Sequence, residues 1–245
     1  MCLITIAYQE HPRFPLIVAA NRDEFRDRPA EPARFWPSAP HILAGRDVRA
    51  GGTWLGISRT GRFAAITNYR DLRRPPIAGP TRGALVKNAL DGELDLGDSS
   101  KYEGFNLLHG PVEAMRYHNN IEPVDAALTP GIHGLSNHFL NTPWPKVDRA
   151  KADLREALNG NERDLVDSLF GLLANAGIAP DGELPDTGLP LAQERAVSSI
   201  FISGSEYGTR CSTVVLVDRE GQVQFEERTY PDNGRTVETF TLVRP

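Results

Sequence analysis

Cysteine occurs only twice in this 245-residue chain, and one copy, Cys2, stands directly behind the initiator methionine in MCLITIAYQE. A thiol there has two readings. As a small hydrophobe it is one more residue of an N-terminal strand, the ordinary fate of a free cysteine. Methionine removal, which requires a small second residue, would instead give one residue both a nucleophile and a free α-amine. An α-amine titrates at about 7.7–8.0, so it can act as a base without the deep burial that a lysine requires. N-terminal nucleophiles use their own amine in this way. The thiol is already a good nucleophile near its usual pKa of about 8.5.

Such a nucleophile needs supporting groups, and polar residues stand where buried strands would normally hold apolar ones. In LIVAANRDEF an apolar run, Leu16 to Ala20, leads straight into Asn21, Arg22, Asp23 and Glu24. A hairpin would return this end alongside Cys2, with Asn21 and Asp23 on one face and Arg22 and Glu24 on the other. A carboxylate there could hold the α-amine; the same residues could equally form a solvated strand exit with an Arg–Glu or Arg–Asp pair. ITNYRD supplies Asn68 and HGLSNHF supplies Asn137. Two side-chain amides aimed at one point stabilise an oxyanion, although asparagine is also common in turns at strand ends. In GTRCSTVVLVD, alternation sets Arg210 and Cys211 on opposite faces, so that Arg210 can face a site while Cys211 packs as a core thiol.

The elements that must position these groups follow from periodicity and turn chemistry. LITIAY and LIVAAN predict a hairpin, with Cys2, Ile4, Ile6 and Tyr8 on one face of the first strand. The proline-rich stretch holding Pro29, Pro32, Pro37 and Pro40 reads as an irregular loop. GGTWLGISRTGRFAAITNY reads as a second hairpin turning at Thr60-Gly61. TRGALVKNAL predicts a helix with Thr81 as N-cap. KVDRAKADLREALNG predicts another that stops at Gly160, and ERDLVDSLFGLLANAG a third, capped by Asn161, with an apolar stripe of Leu165, Leu169, Leu172 and Leu173. FNLLHG, AMRYHNN and GIHGLSN are short strands. Residues 177–190 form a long loop placed to cover a site, and SSIFIS, TRCSTVVLVD, VQFEERTY and ETFTLV are strands, with a hairpin turn at residues 219–221. Strands that open and close the chain around central helices predict an α+β fold with mainly antiparallel sheet. No linker or repeat divides the chain, so residues 1–245 are expected to form a single domain.

Composition narrows the function classes. The net charge is −5, which gives no overall field for nucleic acid or anionic membrane. The basic cluster of Arg70, Arg73, Arg74 and Arg82 reads as solvated surface. No stretch approaches the roughly 20 apolar residues of a membrane span, and no secretory signal is evident. Two cysteines make no disulfide framework, and the six histidines show no metal-ligand spacing. A reducing, cytoplasmic location is expected, without nucleic-acid partner, stable membrane association or metal.

MCLITIAY, VAANRDEF, GGTWLGIS, ITNYRD, GLSN and EYGTRCSTVVLVD, in this order and spacing, resemble the NRDE family, named for the residues at 21–24, which includes the eukaryotic transport-and-Golgi-organisation protein two. The resemblance runs from Met1 to about Tyr230. More remotely the pattern is similar to cysteine N-terminal-nucleophile hydrolases of the penicillin V acylase, bile-salt hydrolase and acid ceramidase type. The resemblance implies a four-layer αββα fold of two antiparallel sheets between helices. It implies Cys2 as nucleophile, Asp23 as the aspartate contacting its amine, Asn68 and Asn137 as the asparagines near the oxyanion, and Arg210 as the late arginine of the site. Asn21, Arg22, Glu24 and Trp54, within the same motifs, are expected to bind substrate or support the site. One position departs: the acylases carry an arginine three residues before the aspartate, and Ala20 stands there in this chain.

The function implied is hydrolysis of an acyl amide or acyl thioester through a Cys2 acyl-enzyme, with a small acyl substrate and no cofactor. The alternative, from the eukaryotic relatives, is a non-enzymatic carrier of haem or of lipid or acyl-CoA using the same cleft. In that case Cys2 or a histidine would serve as axial haem ligand. The residues imply no oligomeric state.

Overall fold

The computed structural model describes residues 2–243, so the expected processing of Met1 lies outside the described residues. The first hairpin forms as its sequence predicts: β1 (Cys2–Tyr8) pairs antiparallel with β2 (Leu16–Phe25). A second hairpin, β3 (Ala30–Trp36) and β4 (Ala39–Asp47), follows. This overturns the expectation of an irregular loop. Proline removes a ladder donor, which an edge strand or a bulge tolerates. β3 is an edge strand, and Pro32 falls within the register shift between Glu31 and Arg34.

β5 (Leu55–Ser58) and β6 (Arg62–Asn68) turn at Thr60-Gly61 as expected, with Gly61 at φ +78°. Helix α1 (Gly83–Asp91) comes next, then β7 (Phe105–Pro111), β8 (Arg116–Asn119), β9 (Val124–Ala127) and β10 (Gly131–Leu135). Helix α2 (Pro145–Asn159) begins on a proline, suited to a first turn whose N–H groups lack intrahelical partners, and ends at Gly160. Helices α3 (Leu165–Leu173) and α4 (Leu191–Ala196) precede β11 (Tyr207–Val217), β12 (Gln222–Thr229) and β13 (Arg235–Thr241).

Two caps differ from expectation. Thr81 does not cap α1, whose N-cap position is Arg82 without a side-chain bond. Asn161 caps a 3-10 turn ahead of α3, accepting from the Arg163 amide. SSIFIS is not a strand either. Its serine side chains bond back to nearby carbonyls, Ser198 to Arg195 and Ser199 to Phe201, which turns the chain locally instead of extending it.

The strands form two wholly antiparallel sheets, six-stranded β10-β1-β2-β11-β12-β13 and seven-stranded β3-β4-β5-β6-β7-β8-β9. Three apolar layers hold them. Ile4, Ile6, Val18 and Val215 of the first sheet meet Leu43, Ile57 and Phe63 of the second. Leu3, Ile17 and Ala19, on the reverse face of the same strands, pack beneath Val147 and Leu154 of α2 and Leu169 of α3. Leu85 and Leu90 of α1 cover Ile42, Ala64 and Leu107 of the second sheet. The fold is therefore the four-layer αββα sandwich. β1 and β2 are buried on both faces, which is why they read as almost continuous apolar runs.

Candidate functional site

Pairing register places the chemistry. Cys2 lies opposite Arg22 across β1–β2, and Arg22 lies opposite Cys211 across β2–β11. Residues directly opposite share a face, so Cys2, Arg22 and Cys211 all point between the two sheets. Asn21 and Asp23 point the other way, toward the helices. Asp23 lies one position past the Cys2–Arg22 pair, on the side of the Cys2 backbone nitrogen.

Cys2 opens into a cleft of about 320 Å³ whose lining includes Arg22, Asp23, Trp54, Asn68 and Arg82. The Asp23 backbone amide donates to the Cys2 sulfur, and the Cys2 carbonyl accepts from the Ser136 hydroxyl at 3.0 Å. Burial pushes the thiol above its usual pKa and the Asp23 carboxylate adds to this, while the Arg22 guanidinium opposes it. A thiol raised in this way needs a base at neutral pH.

Arg22 sits with its Cζ 4.3 Å from the centre of the Trp54 ring, and its Nη2 lies 3.6 Å from Asp47 and 3.7 Å from Glu24. Arg28 joins the cluster at 2.7 Å from Asp47. Glu24, Asp47 and Arg28 all line the cleft. The indole reaches this position because residue 45 is glycine. A Cβ there would lie 2.4 Å from Trp54 Cη2 and Cζ2. The cation opposite the thiol across β1–β2 is that of Arg22.

Asp23 is buried, and its Oδ1 accepts from Thr209 Oγ1 at 2.7 Å, while its carbonyl accepts from Tyr207 Oη at 3.1 Å. Burial pushes its carboxyl up; Lys146, the Thr209 hydrogen bond and Arg22 all act against that. Lys146, on the first turn of α2, is 3% exposed and donates to the Val197 carbonyl at 2.9 Å. Burial lowers its pKa to about 8, with Asp23 the strongest opposing charge. Sequence reading missed it, because a lysine beside Val147 on an amphipathic helix looks like one that snorkels to solvent.

The two asparagines come together through one bond. Asn68 ends β6 and lines the cleft. Fully buried Asn137, just past β10, donates from Nδ2 to the Asn68 carbonyl at 3.0 Å. Each amide nitrogen carries two hydrogens, so one N–H of Asn137 remains beyond this bond.

Several expected placements are corrected. Arg210 is the extra residue of a β-bulge between Thr209 and Cys211. Its Nη1 donates to the carbonyls of Phe25, Arg26 and Arg28, bracing the chain after β2, and it lines a neighbouring pocket beyond Arg22 and Trp54 instead of the Cys2 cleft. The bulge is also why Cys211 shares the Cys2 face. Asn21, expected to bind substrate or support the site, is buried as a brace: Nδ2 donates to the Leu173 and Ile200 carbonyls, and Oδ1 accepts from Ser212. Arg70 is not solvated surface but a buried partner of Glu194 at 3.0 Å, and Arg82 lines the cleft. Arg73 and Arg74 are exposed as expected. None of residues 177–190 lines the cleft. That segment packs on the turn after β6, where the Thr187 carbonyl accepts from the Leu72 amide.

Residues 1–232 match the model of a protein family described as Transport and Golgi organisation 2. The mouse Transport and Golgi organization 2 homolog is 37% identical over 260 residues, covering 95% of this chain and 94% of that one. The human homolog is 35% identical over 264 residues, with 95% and 94% covered. Among solved structures, a Caenorhabditis elegans N-acylethanolamine-hydrolyzing acid amidase ortholog superimposes at a TM-score of 0.49 and 9% identity, over 88% of this chain and 92% of that one. A mutant conjugated bile acid hydrolase from Clostridium perfringens gives a TM-score of 0.42 at 11% identity, over 99% and 97%. The family model spans every motif from Cys2 to Arg210, and the mammalian relatives align nearly end to end. This chain therefore belongs to the Transport and Golgi organisation 2 family.

Proposed function

We propose that the protein is a cysteine N-terminal-nucleophile hydrolase that cleaves an acyl amide or acyl thioester in a reducing compartment. The observation that carries this reading is the register that sets Cys2 against Arg22, with Asp23 beside the Cys2 nitrogen. In a chain beginning at Cys2, the α-amine takes the thiol proton as the sulfur bonds to the acyl carbon. The carbonyl electron pair becomes an oxyanion, toward which the spare N–H of Asn137 and the side chain of Asn68 can donate. Collapse breaks the bond to the leaving nitrogen or sulfur, which receives the proton held by the amine. Water then attacks the thioester, giving its proton to the amine, and the freed thiolate is reprotonated. Arg22 favours the thiolate, and Asp23 fixes the amine.

The test is intact mass spectrometry of protein matured in its native host, before and after reaction with an activated acyl ester such as p-nitrophenyl acetate. A mass lacking Met1, an acyl adduct on the Cys2 peptide, and loss of that adduct in Cys2→Ala are expected. Met1 retained throughout, or equal labelling of wild type and Cys2→Ala, overturns the reading and leaves the haem or acyl-CoA carrier. A saturable Soret shift on haemin titration would then report haem binding. No histidine is among the residues lining the cleft, so the cleft itself offers Cys2 as the soft ligand for such a group.

A further inference from the structure

Two spaces meet at Cys2. One is the charged cleft of about 320 Å³. The other is a recess of about 10 Å³ between the sheets, whose walls include Ile4, Ala20, Trp54 and Leu55. Register explains the recess. Ile4 and Thr213 both lie opposite Ala20, across β1–β2 and β2–β11, so the three share the face of Cys2. Ala20 carries only a methyl group where its neighbours on that face are larger. The space it leaves is closed from the second sheet by Leu55 and the Trp54 indole. Holding one water molecule takes roughly 10–15 Å³, so the recess accepts a group of about methyl size and no more.

Trp54 fixes that limit. Its ring fills the space that a Cβ on Gly45 would need, 2.4 Å from Cη2 and Cζ2, and the Arg22 guanidinium stacks 4.3 Å from its centre. Beyond the ring lies a further pocket of about 80 Å³, lined in part by Cys211 and Glu227. Trp54 borders the recess, the cleft and this pocket alike, so the indole is the partition between them.

Cleavage at Cys2 divides a substrate between the two spaces. The leaving part must depart and water must take its place, so it belongs in the cleft; the part that stays on sulfur takes the recess. The apolar walls suit a methyl group but not a leaving amine, which would lose water without gaining a partner. Nor does the cleft offer a place for a hydrocarbon chain, which would strip water from Glu24, Arg28, Asp47, Arg82 and Glu103. We propose that Trp54 and Ala20 restrict the acyl group transferred to Cys2 to about acetyl size, so that the substrate is a short-chain acyl amide or thioester whose larger, polar part lies in the charged cleft. The proposal rests on the hydrolase reading above and names its substrate class.

The test is the rate at which protein beginning at Cys2 is acylated by p-nitrophenyl acetate, butyrate and octanoate, read as the Cys2 adduct by intact mass spectrometry. Each rate is divided by that of free cysteine with the same ester, which removes the esters' own reactivity. One methylene too many in a fitted pocket is worth about tenfold or more, so the normalised rate should fall at least that far from acetate to butyrate. Trp54→Ala joins the recess to the pocket behind it and should recover most of this loss. Ala20→Val fills the recess from the other side, and should slow acetylation about tenfold while leaving disulfide exchange of Cys2 with a nitrobenzoate disulfide, which needs no acyl recess, at the wild-type rate. Octanoate reacting as fast as acetate in the wild type overturns the proposal and leaves the hydrolase reading standing, as does an unchanged preference in folded Trp54→Ala. A Cys2 that is acylated by none of the esters overturns the hydrolase reading and the proposal with it.

Discussion

Arg22 faces Cys2 across one antiparallel pair and stacks 4.3 Å from the Trp54 ring, so a single side chain links the thiol to the wall of the cleft. Because Arg22 opposes the effect of burial on the thiol, Arg22→Met should move the thiol titration to higher pH. Alkylation of Cys2 by iodoacetamide at a fixed, near-neutral pH would slow accordingly, because a tenfold smaller thiolate fraction accompanies each rise of about one pH unit in the midpoint. Arg22→Lys keeps the charge but loses the planar stack, and should fall between the two. A pH–rate profile of alkylation that is the same in Arg22→Met and wild type would show that the guanidinium does not act on the sulfur.

Gly45→Ala tests the wall itself. The added Cβ would lie 2.4 Å from the indole, so the ring must move. Overpacking of this kind typically costs about 1–3 kcal/mol. The expected outcome is a loss of stability of that order in urea melts, together with altered tryptophan fluorescence as Trp54 leaves Arg22. An unchanged emission spectrum and unchanged melt would contradict the contact.

Asn137 should show two separable effects. Asn137→Ala removes the donor to the Asn68 carbonyl, and a buried acceptor left unpaired costs about 1–3 kcal/mol. Loss of an oxyanion donor costs roughly 10²–10³ in turnover. The acylation rate of the fully folded variant should therefore fall by that factor, on top of the stability loss. A variant that is destabilised but acylates at the wild-type rate would assign Asn137 to the loop alone.

His109 makes the fold acid-sensitive away from the cleft. It lies on β7 beside His118 of β8, and burial lowers its pKa to about 4, against the pull of Asp125. A free histidine titrates near 6.5, so between these values the unfolded chain holds a proton that the folded chain does not. Stability is then fully present above about pH 6.5 and declines as pH falls toward 4, by roughly 1–2 kcal/mol at pH 5. His118, lowered in the same direction by burial, adds to this slope. His109→Asn should flatten the dependence of urea midpoint on pH between about 7 and 5; an equal slope in the variant would assign the effect elsewhere.

What can be read from the sequence follows the range of the interactions involved. The turns at Thr60-Gly61 and at Gly221 are local, each with glycine at positive φ, and both hairpins stand where their residues put them. The alternation of Arg22 against Asp23 is legible for the same reason. That Arg22 faces Cys2 does not follow from alternation, because it depends on how residues 9–15 close the first hairpin. The bulge at Arg210 turns Cys211 to the Cys2 face instead of the opposite one, since one extra residue moves every side chain beyond it to the other side. β3 is hidden by prolines that only an edge position excuses. Lys146 and the Arg70–Glu194 pair are illegible, because their partners lie far along the chain and each looks like ordinary surface charge.

The two cysteines share a face but are separated by the whole width of β2. Two inter-strand spacings amount to about 9.6 Å, well beyond the roughly 7 Å across which a disulfide can form without backbone movement. An oxidant that reaches Cys2 therefore produces a sulfenic acid with no resolving thiol inside the molecule. Cys2 is spared internal cross-linking, and its recovery after oxidation depends on a thiol supplied from outside.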